Sequence, residues 1–180
     1  MGGFVEEEES VDNAAKRVLT ELTGLKDIFM RQVATFGAVD RDPGGRVISV
    51  AYYALININD YNHKLVEEHK ASWVKIKEIP ELCFDHSAMV KKAMEVMQRH
   101  AATQPISFNL LPKLFTLSQL QSLYEAIFDG PLDKRNFRKR IAEMNFIERT
   151  TLIDKTNSRR GASLYTFNKK AFQKEGKFKI

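Results

Sequence analysis

The hydrophobic pattern of the first hundred residues alternates between helical and extended segments. Apolar residues recur at helical spacing over about residues 11–23, with Ser10 before the pattern and Gly24 after it, as expected of a capped amphipathic helix. Extended, β-rich segments come next, and helical spacing returns after Asp85. The predicted elements are a helix at 11–23, strands at 28–39, 46–58 and 71–76, the last centred on Trp73, and a helix at 86–99.

The pattern of the last eighty residues predicts two helices followed by a hairpin. Residues 101–109, which include Pro105, are interpreted as a linker. Thr116 and Gln119 form a capping box, and an apolar helix face continues from there to Ile127. Beyond the turn at Asp129, Gly130 and Pro131, the prediction is a second helix at 133–144 and strands at 146–154 and 162–167. This order is typical of a winged helix-turn-helix.

Net charge is unevenly distributed along the chain. Residues 1–105 carry 13 Lys and Arg against 16 Asp and Glu, a net −3, whereas residues 106–180 carry 15 against 7, a net +8. A basic segment beside a nearly neutral one often indicates a module for nucleic acid or another anionic surface. The C-terminal part is therefore the predicted binding module.

Composition also excludes several classes of protein. A single cysteine, Cys83, excludes an intramolecular disulfide, and together with four scattered histidines it excludes the usual zinc spacings. Cys83 lies between Leu82 and Phe84 and is predicted to be a buried core residue. The longest mostly apolar stretch, 47–56, is too short for a bilayer, and no basic-then-apolar leader opens the chain. The expectation is a cytoplasmic protein without a membrane partner.

The first 25 residues contain a spaced motif formed by Gly3, Glu9, Arg17, Glu21, Gly24 and Leu25. Its spacing resembles the Nudix box, G-x5-E-x7-R-E-U-x-E-E-x-G-U with U apolar. In that family the carboxylates of the R-E-U-x-E-E run hold Mg²⁺ against a diphosphate. Here Val18 and Leu22 replace two of those three carboxylates, and only Glu21 remains. The resemblance therefore implies the fold but no enzyme activity, no metal and no cofactor. Within the motif, Glu9 and Arg17 are predicted to form an ion pair.

Later features are also similar to the Nudix family, namely a segment with a tryptophan and the run Phe84-Asp85-His86 before the last helix. A Nudix domain has strands before its box, whereas this sequence begins inside the box. The expectation is an N-terminally truncated protein. Its predicted fold class is α+β, with an incomplete Nudix-like α/β sandwich at 1–100 followed by a winged helix-turn-helix at 101–180.

The second helix of the winged segment is the predicted reader of DNA. Arginine and asparagine in its first turns have the groups that bind guanine and adenine edges in the major groove. The preceding helix begins with polar residues suited to phosphate contact, and the hairpin tip repeats the positive charge. A solvated helix face is the alternative interpretation of such a charge run. The predicted DNA-binding residues are Thr116, Ser118, Gln119, Lys134, Arg135, Asn136, Arg138, Lys139, Arg159 and Arg160.

Residues 109–140 closely resemble the DNA-binding domain of Nudix-related transcriptional regulators. That family implies a small-molecule effector bound by the Nudix-like domain. One branch binds ADP-ribose and controls NAD metabolism, and another, with a degraded box, includes arabinose-responsive repressors. The segment KRVLTELTG, residues 16–24, is more similar to the arabinose branch.

An effector site is predicted at the position where Nudix enzymes have their substrate cleft. Glu21, Asp40, Arg41 and Asp42 offer the mixed carboxylate and guanidinium partners that sugar hydroxyls need, although a charged hairpin loop is the simpler interpretation of residues 40–42.

The prediction from sequence is a homodimeric regulator that binds a palindromic double-stranded operator and L-arabinose. The alternatives are an ADP-ribose-responsive regulator of NAD metabolism, a weak Nudix hydrolase with a DNA-binding appendage, and a structural fragment without an effector.

Overall fold

The computed structural model describes residues 1–57, 68–156 and 161–180. The chain divides into two compact units, Met1–Val96 and Met97–Ile180. The described parts combine helices with two antiparallel sheets, so the architecture is mixed α and β. Within the described residues, no helix has the length and apolarity needed to cross a membrane.

The first unit begins with helix α1, Val11–Thr23, the range predicted from the hydrophobic spacing. Ser10 caps it by accepting a hydrogen bond from the Asn13 amide, and Gly24 ends it in the left-handed conformation at φ 72°. Strands β1, Phe29–Phe36, and β2, Ser49–Leu55, then form an antiparallel pair. The predicted strand pair is thus confirmed with shorter bounds, except for Ile58, which lies outside the described residues.

Two predictions in the first unit are wrong. Residues 71–76 form no strand, and Trp73 is 53% exposed. A strand needs a neighbouring strand for its backbone hydrogen bonds, whereas β1 and β2 pair with each other and a short 3-10 helix begins at Ile76. Cys83 is exposed rather than buried, because it lies in the loop before the next helix, where its Sγ is 3.4 Å from His86 Nδ1.

Helix α2, His86–Thr103, is four residues longer than predicted and contains the boundary between the units. The predicted linker at 101–109 is wrong. Ala101 and Ser107 are fully buried, and a 3-10 helix occupies Pro105–Leu110. This segment is part of the core of the second unit because the Ser107 hydroxyl donates a 2.5 Å hydrogen bond to the buried Tyr124 hydroxyl.

The second unit has the order expected of a winged helix. It contains β3, Phe115–Thr116, α3, Leu117–Phe128, α4, Lys134–Ala142, β4, Ile147–Asp154, β5, Ala162–Phe167, and α5, Lys169–Glu175. The strands form one sheet in the order β3-β5-β4.

An aromatic cluster fills this unit. Phe108 stacks on Phe167 with ring centroids 4.5 Å apart, and Phe146 meets Phe172 edge to face at 5.2 Å. Tyr124 is fully buried, and burial raises the pKa of its hydroxyl.

Candidate nucleic-acid interface and small-molecule site

The start of α3 is fixed by the predicted capping box. The Thr116 hydroxyl accepts from the Gln119 amide at 3.1 Å, and the Gln119 side chain accepts from the Thr116 amide at 2.8 Å. Thr116 is 6% exposed, whereas Ser118 and Gln119 are exposed. The Ser118 hydroxyl and the side-chain nitrogen of Gln119 are therefore available to a ligand, whereas the Thr116 hydroxyl and the Gln119 side-chain oxygen are used in the cap.

The turn between α3 and α4 is held by a carboxylate. Glu125 Oε1 accepts from the Leu132 amide at 3.1 Å and from the Gln121 side chain at 2.9 Å. The hydrogen bonds from Gln121 and the Leu132 amide lower the pKa of Glu125. Asp129 adopts the left-handed conformation at the helix end. These local contacts set the direction in which the next helix leaves the turn.

Helix α4 buries its large apolar residues and exposes its basic residues. Phe137 and Ile141 are 4% and 2% exposed, and Asp133 caps the helix by accepting from the Asn136 amide at 2.7 Å. All the predicted reading residues on this helix face solvent, which makes their side chains available to DNA. They are Lys134, Arg135, Asn136, Arg138 and Lys139, and Arg140 is exposed beside them.

An open concavity of about 790 Å³ brings several predicted DNA-binding residues together. The first turn of α3, Arg138 of α4 and the start of β5 line it. Helix N-terminal amides and hydroxyls are among the groups that proteins use to contact phosphates, and arginine can contact either phosphates or base edges. The predicted residues in the lining are Thr116, Ser118, Gln119 and Arg138.

Three hydroxyl-bearing residues of the same lining were missed from sequence, namely Ser122, Ser163 and Tyr165, and the lining also contains the carboxylate of Asp154. Their spacing contains the signal that could have identified them. Ser122 is four residues after Ser118 and so shares its helix face. Ser163 and Tyr165 are two apart on β5 and so share a face of the sheet.

The wing of this unit is the β4–β5 hairpin. Its strands pair from Ile147 with Phe167 at the base to Asp154 with Ala162 near the tip. Gly161 adopts a φ of +74° there, and a Cβ at this position would collide with Cγ2 of Ile153. The predicted wing residues Arg159 and Arg160 lie outside the described residues.

In the first unit, the remnant of the Nudix box is organised around Arg17. Its guanidinium donates to Glu9 at 2.5 and 3.1 Å, to Glu21 at 3.1 Å and to the Phe4 carbonyl at 2.9 Å. The predicted Glu9–Arg17 ion pair is confirmed. The hydrogen bond from Arg17 holds the pKa of Glu9 below its ordinary value.

These residues do not fit a Mg²⁺ ion. A hard cation needs several oxygen ligands, whereas Glu21 is hydrogen-bonded to Arg17. At one former carboxylate position, Val18 packs so closely on the loop that a Cβ on Gly3 would lie 2.7 Å from it. In the described parts of the chain, no group of three or more His, Cys, Asp or Glu is arranged to hold a metal.

A partly buried ion pair stabilises the loop between β1 and β2. Arg41 donates to both carboxylate oxygens of Asp85, at 2.7 and 2.9 Å, and to Ser49 at 2.7 Å. The Arg41 side chain is only 4% exposed, and its hydrogen bonds hold the pKa of Asp85 below its ordinary value. Asp40 is exposed, and Asp42 accepts from the Gly44 amide at 2.8 Å. Among the described contacts, no hydrogen bond or ion pair joins Glu21 to this loop.

Comparison with known proteins assigns the chain to a family. Residues 107–167 match the sequence model of the NrtR DNA-binding winged helix domain. The chain is also 34% identical over 170 residues to the "ADPR responsive transcriptional repressor NtrR" of Acinetobacter baylyi, covering 92% of this chain and 68% of that protein. This chain belongs to the NrtR-like family of Nudix-related winged-helix transcriptional regulators.

Two further proteins are similar to this NrtR-like protein. The crystal structure of Shewanella oneidensis NrtR complexed with a 27mer DNA is similar, with a TM-score of 0.71, 26% identity and coverage of 98% of this chain and 81% of that one. This likeness confirms the predicted fold class, a Nudix-like domain followed by a winged helix. The "ADP-ribose pyrophosphatase" of Methanocaldococcus jannaschii is 33% identical over 94 residues, which cover 52% of this chain and 54% of that protein.

Proposed function

We propose that this NrtR-like protein is an ADP-ribose-responsive transcriptional repressor that binds duplex DNA in the cytoplasm through its winged helix. The observation that carries the proposal is the concavity in which Ser118, Gln119 and Arg138 meet beside the exposed basic face of α4. Phosphate contacts from α3 would position the protein, and the arginines and Asn136 of α4 would read base edges. The Shewanella relative supports this role, because its structure contains a 27mer DNA.

ADP-ribose is the proposed effector because two relatives with different activities are both named for it. One is the Acinetobacter repressor and the other is the Methanocaldococcus pyrophosphatase. This agreement favours the ADP-ribose alternative over the arabinose predicted from the box. The degraded box therefore does not by itself indicate the arabinose branch.

The proposed effector site keeps the residues predicted from sequence and gives them different roles. The exposed Asp40, with Asp42 and Glu21, would accept hydrogen bonds from ribose hydroxyls. Arg41 is already bound to Asp85, so it would position this loop instead of contacting the ligand. Because Arg17 binds Glu21 and two box carboxylates are absent, the ligand would be bound without hydrolysis.

We further propose that two copies bind one operator. A single recognition helix reads only a short half-site, and paired half-sites one helical turn apart are the usual target of dimeric helix-turn-helix proteins. The operator is then expected to be palindromic.

A titration of DNA binding tests the proposal. A duplex selected by the purified protein from a random library is labelled, and its binding is followed by fluorescence anisotropy while ADP-ribose or L-arabinose is added. ADP-ribose should release the duplex, and L-arabinose at equal concentration should not. The double variant Asp40→Asn with Asp42→Asn should bind the duplex normally but respond more weakly to ADP-ribose.

Each opposite result has a distinct meaning. Failure to select any duplex would contradict the DNA-binding role. Release by arabinose alone would restore the other branch of the family. An unchanged response in the double variant would place the effector site elsewhere.

A further inference from the structure

The segment that follows the wing, residues 168–180, packs against the core of the second unit. Phe178 is 6% exposed and packs on Phe108, Tyr124 and Phe146, with ring centroids 6.1 to 6.4 Å apart. The Ile180 amide donates to the Ala102 carbonyl at 3.1 Å. The last residues of the chain are therefore an ordered part of the winged-helix unit.

The outward side of this segment is strongly basic. Residues 169–180 contain five lysines and one acidic residue. Among the ion pairs of the described residues, none involves these lysines. We call them the lysine strip, which consists of Lys169, Lys170, Lys174, Lys177 and Lys179, all exposed.

The lysine strip is separate from the concavity described above. Strand β5 begins at the concavity, where Ala162 and Ser163 contribute to the lining, and ends at Phe167 beside α5. At about 3.3 Å per residue, its six residues span roughly 20 Å. The family's winged-helix model also ends at residue 167. The strip is thus outside the matched domain and at the opposite end of the hairpin.

We propose that the lysine strip binds the sugar-phosphate backbone of duplex DNA outside the bases read by α4. This inference rests on the proposed DNA-binding function. A duplex carries one charge per about 1.7 Å of its axis, so the DNA that flanks an operator offers many phosphates to a basic surface. Lysine is a hydrated point charge that suits phosphate contact without base recognition, whereas α4 presents arginine and asparagine. The strip should therefore add affinity that depends on duplex length and not on flanking sequence.

The test compares two duplexes and three proteins at several salt concentrations. The short duplex holds only the sequence selected by the protein, and the long duplex extends it by two helical turns of scrambled sequence at each end. The strip variant carries Lys169→Gln, Lys170→Gln and Lys174→Gln. The control variant carries Lys16→Gln, Lys26→Gln and Lys91→Gln, which remove the same charge from exposed positions in the first unit.

The natural protein and the control should bind the long duplex more tightly than the short one. The strip variant should lose that gain while binding the short duplex within about twofold of the natural protein, a difference of under 1 kcal/mol. On the long duplex, its salt dependence should be less steep by up to about 2.7, because each phosphate contact contributes about 0.9 to the slope. Unchanged thermal unfolding would show that the substitutions leave the fold intact.

Two outcomes would overturn the lysine strip alone. One is an equal length gain in the natural protein and the strip variant. The other is an equal loss by the strip variant on both duplexes, which would mean that the lysines act only through overall charge. If the natural protein bound neither duplex, the proposed function would fail together with this inference.

Discussion

Arg17 and Glu9 form a two-pronged ion pair, with Nε to Oε2 at 3.1 Å and Nη2 to Oε1 at 2.5 Å, that ties the loop at the start of the chain to α1. The same guanidinium also binds Glu21. The box motif has thus kept the contacts that shape its loop, while Val18 and Leu22 have replaced two residues that held metal in the enzymes it resembles.

Catalysis is the first property to test. We expect no Mg²⁺-dependent hydrolysis of ADP-ribose, because Glu21 is the only one of the three metal carboxylates left and Arg17 engages it. Chromatography of ADP-ribose incubated with protein and Mg²⁺ measures this directly. Hydrolysis that disappears in Glu21→Gln would show that the box is active.

The second prediction separates base readout from backbone contact. Arg135→Ala or Arg138→Ala should cost about 1 to 3 kcal/mol on the selected duplex and relax preference at one position of each half-site. Arg159→Ala or Arg160→Ala, predicted from sequence to contact phosphates, should weaken all duplexes similarly and flatten the salt dependence. Binding titrations with selected and scrambled duplexes distinguish the two patterns. Equal losses in all four variants would mean that α4 lies on the backbone.

Thr116 and Ser118 offer a matched pair at the start of α3. Thr116→Ala should lower the free energy of unfolding by about 1 kcal/mol, because it removes a buried helix cap. Ser118→Ala should change stability by less than about 0.5 kcal/mol, because its side chain is exposed, yet it should weaken DNA binding. Urea unfolding and anisotropy measure the two effects. A reversal of the two phenotypes would contradict the roles assigned here.

Residue 161, which precedes β5 near the tip of the wing, should not tolerate a side chain. Gly161→Ala combines an unfavourable positive φ with a collision against Ile153, and should destabilise the protein by more than about 1 kcal/mol. Adding Ile153→Ala should recover part of this loss by removing the collision but not the backbone strain. Thermal unfolding of both variants tests this. No recovery in the double variant would show that backbone conformation alone accounts for the cost.

Ionisation of the Tyr52 hydroxyl should make the free energy of unfolding depend on pH in the alkaline range. Burial and the hydrogen bond that its hydroxyl donates to Asp12 at 2.5 Å raise the pKa of Tyr52 from 10.0 to about 12. The neutral phenol is therefore favoured in the folded state, so its contribution is complete below pH 10 and is lost as the pH rises towards 12. Compared with Tyr52→Phe, the natural protein should lose stability more steeply over that interval in urea unfolding. Parallel curves for the two proteins would contradict the assigned pKa.

Elements with strong local signals could be predicted from sequence almost to the residue. The observed α1, Val11–Thr23, and β5, Ala162–Phe167, have the predicted bounds. The cap at Ser10, the glycine stop at Gly24 and the capping box at Thr116 depend on neighbours within a few residues, so no tertiary information was needed.

The wrong predictions concern segments whose structure depends on residues far away in the sequence or on a neighbouring strand. Ser107 in the supposed linker is buried by Tyr124, which lies 17 residues further along. Residues 71–76 have the composition of a strand, but among the described residues no strand pairs with them. The concavity combines residues from α3, α4 and β5, and only the tertiary fold shows that Ser163 and Tyr165 join Arg138. Sequence could suggest the basic helix but not this surface.

In α4, the residues that hold the helix in place are different from those that would contact bases. This separation affects how such a regulator can change its target. The position of α4 depends on Phe137, Ile141 and the Glu125 contact to the preceding turn, none of which belongs to the exposed set that would meet bases. Exposed substitutions away from caps and cores usually alter stability by under about 0.5 kcal/mol. A descendant could therefore exchange Arg135, Asn136 or Arg138 one at a time, drifting towards a new operator while every intermediate protein still folds.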